Sequence, residues 1–182
     1  MSTVHTLLTL EDALALPDRD DCRYELDEGE LIELTLPRPR HQRIVMKVSN
    51  AMENWANSSG IGVVYPSDTP FLLRRNPDIL RGPDIAWLSQ ERLRSLDPDK
   101  IFEGAPNLAV EVASPSDRIS ALLKKTSQYL EAGAEEVWLI MPAGREIHLY
   151  RPDESPRILR PGEVMESRLL PGFAMPLADI FE

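Results

Sequence analysis

Apolar positions recur at two periods along the chain, and the switches between them mark its elements. Thr9 opens a short helix with Glu11 and Asp12 in its first turn, and Pro17 ends it. RYELDEGELIEL then alternates on either side of Glu28-Gly29, which predicts a β-hairpin. From Pro37 and Pro39 the period becomes helical as far as Ser59. Ile44, Val48, Ala51 and Trp55 lie on one stripe, with Val45 and Met52 beside it, and Gly60 is the stop. IGVVYP and TPFLL read as strands, and Ile85 to Leu88 as another after Pro83-Asp84. SQERLRSL is a short helix capped by Ser89. NLAVEVA, residues 107–113, is apolar enough for a central strand buried on both faces. Ser114-Pro115-Ser116-Asp117 looks like a capping box that starts a helix running to Ala132, with Gly133 as its terminator. VWLIM and REIHLY are two further strands joined at Pro142-Ala143-Gly144. The tail from 151 is rich in Pro and Gly, and its FAMPLADIF segment is apolar enough to pack back. The order predicts an α/β fold: a mixed β-sheet flanked by helices, in one domain over residues 1–182.

Composition removes several classes of function. The 182 residues include one cysteine, Cys22, so neither an internal disulfide nor a Cys-rich zinc site is available. His5, His41 and His148 are scattered, which excludes the paired-histidine zinc hydrolases. No apolar run approaches a membrane span, and the N-terminus lacks the basic start of a signal peptide, so a cytoplasmic location is expected. The net charge of −10 argues against a nucleic-acid partner taken whole. Its distribution weakens that argument. Residues 11–33 hold ten acids against two bases, while residues 38–47 hold four bases and no acid. The acidic stretch reads as a solvated face. The basic stretch reads either as a surface helix or as a contact to DNA.

One residue in the buried strand needs a reason. Burying a carboxylate costs several kcal/mol unless it is paired, hydrogen-bonded or bound to metal. Glu111 sits in AVEVA, and Asp84 stands at the mouth of another strand. Two strands that deliver one carboxylate each to the same edge make a site for a hard cation, Mg2+ or Mn2+, which can activate a water against a phosphodiester. At about 100° per residue, Ile119, Leu122, Leu123, Thr126 and Leu130 define the core face of the following helix. Lys124 points away from that face. Lys125 lies on its flank beside Tyr129 and in line with Arg118, from where it can reach back over the strand edge. The competing readings are a turn acid for Asp84, a paired structural acid for Glu111 and a solvated lysine for Lys125.

These residues also carry a resemblance. Tyr24-Glu25-Leu26, Gly29-Glu30-Leu31, His41, Gly82-Pro83-Asp84-Ile85-Ala86, Glu103-Gly104-Ala105-Pro106, the run Glu111 to Arg118, Lys125 with Tyr129, and Gly133 with Glu136-Val137-Trp138-Leu139 occur in that order. As an ordered set they resemble a bacterial restriction-endonuclease-like family of the PD-(D/E)XK nuclease superfamily, over about residues 9–181. The resemblance implies a metal-dependent endonuclease acting on nucleic acid, DNA first. Asp84 would be the aspartate of the PD motif and Glu111 the acid of (D/E)XK, with the carbonyl of Val112 as an added metal ligand. Ala113 stands where that motif has its lysine, and Lys125 takes over from the next helix. Ala121 replaces an acid common in the family. His41, Tyr129 and Arg118 are accessory candidates, His41 with a structural or a catalytic role. Cleaving both strands of a duplex needs two sites, so a homodimer is expected. The alternatives are an inactive module on the nuclease fold that binds nucleic acid or protein, and hydrolysis of some other phosphate ester.

Overall fold

The computed structural model describes residues 7–17 and 22–182. The N-terminal residues read as lacking a leader, and Asp18, Asp20 and Asp21 of the acidic stretch, lie outside them. Helix α1 (Leu10–Leu14) begins at Thr9, whose hydroxyl accepts from the Asp12 N–H while the Asp12 carboxylate accepts from the Thr9 N–H. Strands β1 (Cys22–Asp27) and β2 (Glu30–Thr35) form the expected hairpin. Its two turn residues, Glu28 and Gly29, have φ of 56° and 82°. A Cβ at Gly29 would meet the Leu7 side chain at 2.7 Å, so that position needs glycine for space as well as for conformation.

Helix α2 (Pro39–Ser59) buries Ile44, Val45, Val48, Met52, Trp55 and Ala56, the expected stripe with Ala51 at its edge, and ends at Gly60 in the left-handed conformation. Short strands follow: β3 (Val63–Tyr65), β4 (Phe71–Arg74), β5 (Ile79–Arg81) and β6 (Ile85–Leu88). Helix α3 (Gln90–Leu93), capped by the Ser89 hydroxyl, leads to β7 (Phe102–Glu103) and β8 (Leu108–Val112). After α4 (Ile119–Glu131) come β9 (Glu136–Met141), β10 (Glu146–Tyr150), β11 (Arg157–Leu159), β12 (Val164–Glu166), β13 (Ala174–Pro176) and α5 (Leu177–Phe181).

The strands form a six-stranded sheet, ordered β11-β10-β9-β8-β6-β3, and a five-stranded sheet, ordered β2-β1-β5-β4-β7, with β12 and β13 as a separate ribbon. β8 lies inside the larger sheet, antiparallel to β6 and parallel to β9, with α4 as the crossover between β8 and β9. Its alternation serves two faces. Leu108, Val110 and Val112 pack with α2 and with Phe173, Met175, Leu177 and Ile180 of the returning tail. Ala109 packs with Tyr129 of α4, and Ala113 with Leu122, so Glu111 between them faces α4 as well.

Two expectations about α4 are corrected. Residues 114–117 form a turn rather than the first turn of the helix: the Ser114 N–H donates to Asp117 Oδ2 at 2.7 Å and the Asp117 N–H to Ser114 O at 3.0 Å. The helix starts at Ile119, after Arg118 in an extended conformation. Its inward face is also rotated from the apolar pattern. Ile119 and Leu123 are exposed, while Leu122, Thr126, Gln128 and Tyr129 are buried. The cause is what α4 meets. Beneath it lie Glu111, Glu25 and Arg81, and these select polar partners for that face.

Candidate active site

Glu111 reaches the site because β8 is buried on both faces and its register turns this residue toward α4. Tyr129, buried near the C-terminal end of α4, donates its hydroxyl to Glu111 Oε1 at 2.8 Å. Lys125, one turn earlier, places Nζ 3.5 Å from the same oxygen and 2.9 Å from Glu25 Oε1. Burial pushes the Glu111 carboxyl up to about 7, with Asp84 and Glu25 adding to the shift and Lys125 and Tyr129 opposing it. Burial alone would lower Lys125, but Glu111 and Glu25 outweigh it and hold the ammonium above its ordinary range. Lys125 is therefore charged at neutral pH.

Asp84 is positioned by a strand that stops short. β6 begins at Ile85, so the β8 amide of Val112 runs past the last residue of the β6–β8 ladder. Asp84 Oδ2 accepts that N–H at 2.8 Å. The same oxygen faces His41 Nε2 at 3.1 Å. A carboxylate only accepts, so Nε2 carries the proton, and the buried Nδ1 has no partner among the described residues. Burial would lower the His41 imidazole, but the bond to Asp84 and the charges of Asp84, Glu111 and Asp117 raise it. The N–H and C=O of one strand residue leave the same edge of the strand, so the Val112 carbonyl is also directed toward the Asp84 side.

Among the described residues, every bond made to Glu111 ends on Oε1 and every side-chain bond made to Asp84 ends on Oδ2. Among the described residues, one oxygen of each is left without a hydrogen bond. The surrounding field is negative. Asp68, in the loop between β3 and β4, is raised by partial burial and by Asp84 and Glu25, against its ion pair with Arg23. No group of three or more His, Cys, Asp or Glu among the described residues forms a metal cluster. The groups that could hold a metal here are the Asp84 and Glu111 carboxylates and the Val112 carbonyl. That set fits a hard cation that keeps several waters and takes further oxygens from a phosphate, as Mg2+ commonly does.

The structure brings Asp84, Glu111, Val112, Lys125, Tyr129 and His41 together. It leaves Arg118 apart, exposed at the N-cap of α4. Beneath Lys125 lies a support made by residues distant in sequence. Glu25 is buried, with Oε2 2.8 Å from Arg81 Nη1 and Oε1 3.2 Å from the Gly82 N–H. Arg81 is 2% exposed and also donates to Gln128 Oε1 and pairs with Asp27 at 3.0 Å. Gln128 in turn donates to Asp27 at 2.8 Å. Glu25 carried the same signal as Glu111, an acid beside an apolar residue in a predicted strand. The basic run is less free than its composition suggested. Arg40 donates to Pro142 O, and Lys47 to the carbonyls of Asp179 and Glu182, while Arg38 and Arg43 are exposed.

The sequence model of the Uma2 family, described as putative restriction endonuclease, matches residues 10–178. The chain belongs to this family. Among solved structures it is similar to a putative nuclease from Anabaena variabilis, with a TM-score of 0.83 and 21% sequence identity, covering 96% of this chain and 97% of that one. At that identity the likeness establishes the restriction-endonuclease-like fold. No curated protein matches the sequence. No helix among the described residues of this family member is long and apolar enough to cross a membrane.

Proposed function

We propose that the chain is a divalent-metal-dependent endonuclease that hydrolyses phosphodiester bonds of nucleic acid, with DNA as the first substrate to test. The observation that carries this reading is the convergence of Asp84, held by the Val112 amide, with Glu111 and the Lys125 ammonium. Asp84, Glu111 and the Val112 carbonyl would hold Mg2+ or Mn2+. Such a cation supplies Lewis-acid activation of a water and neutralises charge at the scissile phosphate.

The remaining steps belong to the chain's own groups. Lys125 places a fixed positive charge beside the phosphate and stabilises the charge that builds up on it. Tyr129 holds the Glu111 carboxylate from one side and so aims its free oxygen. His41 is a positioning residue: its bond to Asp84 fixes that carboxylate, the role that outer partners of metal-binding carboxylates commonly play. Glu25 orients Lys125 and is itself fixed by Arg81. Two copies would be needed to cut both strands of a duplex.

A second reading, an inactive binding module, draws on the net charge of −10 and on Ala113 at the usual lysine position. An assay with single-stranded and duplex DNA, run with Mg2+, with Mn2+ and with EDTA, separates the two. The nuclease reading expects cleavage that EDTA and Asp84→Ala both abolish. Salt-dependent binding with no cleavage under any metal favours the module.

A further inference from the structure

Next to the carboxylates, the start of α2, the turn after β8 and the turn between β9 and β10 enclose a cleft of about 420 Å3, within the range of small-ligand sites. Its lining is mostly apolar, including Ala113, Ile119, Leu122 and Met141. Ile119 is 54% exposed, a large apolar side chain left to solvent beside the cleft. His41 also lines the cleft while bonded to Asp84, so cleft and candidate site share a residue. Arg38 and Arg40 supply its positive charge. Among the described residues Asp117 is the one acid in the lining, and its Oδ2 accepts from the Ser114 N–H.

We propose that this cleft receives the base of an unpaired nucleotide adjoining the scissile phosphate, so that the preferred substrate is single-stranded or locally unpaired nucleic acid. The inference rests on the nuclease reading and extends it to the class of substrate. A base inside a duplex shows its edges to the grooves and hides its faces in the stack, so it offers nothing to fill an apolar cleft. A base released from the stack offers a flat apolar face and burial rewards it. Single strands already expose such faces, whereas duplex must first be unstacked. Exposed Arg38, and the Arg40 donors not spent on Pro142 O, suit the phosphates on either side of the base. The local charge of these arginines, rather than the net charge of the chain, selects an anionic occupant over an apolar peptide.

The test is fluorescence anisotropy with a labelled single-stranded oligonucleotide and with its blunt duplex, in calcium buffer, for the wild type, Ala143→Trp and Ile119→Ser. Ala143 is an exposed turn residue in the lining, so tryptophan there fills the cleft without entering the core. Ile119→Ser removes apolar wall from an exposed position. Manganese binding by both variants, followed by calorimetry, should equal that of the wild type. The expected result is single-strand binding about tenfold tighter than duplex binding, with a loss of about tenfold for the single strand alone in each variant. Equal affinity of the wild type for both forms overturns the proposal, as does wild-type affinity of both variants for the single strand. Binding of neither form by the wild type overturns the nucleic-acid reading itself, and the subsite with it.

Discussion

Lys125→Ala is expected to keep metal binding and to lower phosphodiester cleavage by about 100- to 1,000-fold, the usual cost of removing one preorganised group that stabilises transition-state charge. The structure explains why the two effects separate. Lys125 stands 3.5 Å from Glu111 Oε1 and is not among the oxygen donors of the proposed cation site. Its removal leaves Tyr129 on Glu111 and both Arg81 and the Gly82 amide on Glu25, so neither carboxylate is stranded. A purely structural lysine would instead shift thermal stability and leave turnover per folded molecule unchanged. Single-turnover cleavage and the unfolding midpoint, measured together, decide between these roles. Unchanged cleavage removes Lys125 from the mechanism.

Arg81→Met is expected to destabilise the fold by about 3 kcal/mol, near the lower end of what breaking a buried ion pair costs. Arg81 is 2% exposed and meets Glu25, Asp27 and Gln128 at once. It thereby ties β1 and β5 of the smaller sheet to α4 on the larger one. Methionine fills similar volume but donates nothing, which leaves two acids short of a partner. The loss is moderated because Lys125 still serves Glu25, and Lys124 still serves Asp27 at 2.9 Å. For a chain of this length that energy corresponds to a melting shift of roughly 6–12 °C. Urea unfolding measures it directly. A change below about 1 kcal/mol would show that Lys124, Lys125 and Gln128 suffice to neutralise the cluster.

Much of the architecture follows from local signals that tertiary packing did not override. Gly29 specifies the hairpin because it adopts positive φ without cost, and Glu28 takes the other positive-φ position of the turn. The α2 stripe is long enough for its period to be unambiguous. Glu111 and Asp84 were legible because an acid in a buried strand, or at its mouth, demands a partner. The parts that stayed hidden depend on contacts distant in sequence. β5 and β7 have three and two residues, too few to show a period, and exist through their pairing with β4. Arg81 reads as an ordinary surface arginine until β1 and α4 close over it. The start of α4 misled because Ser114 to Asp117 carry the residues of a capping box. The Asp117 carboxylate makes its half of that box, to the Ser114 amide, and closes a turn instead. Ile119 and Leu123 then look like core from their spacing, although the helix face beneath is selected by the Glu25–Arg81 cluster.

The most direct test of the account is manganese binding by titration calorimetry, comparing the wild type with Asp84→Ala and Glu111→Ala, each confirmed as folded by circular dichroism. It requires no knowledge of the substrate. The wild type is expected to bind the ion, and either substitution to remove that binding. A wild type that binds no ion at millimolar concentration, or binding that survives both substitutions, contradicts this expectation.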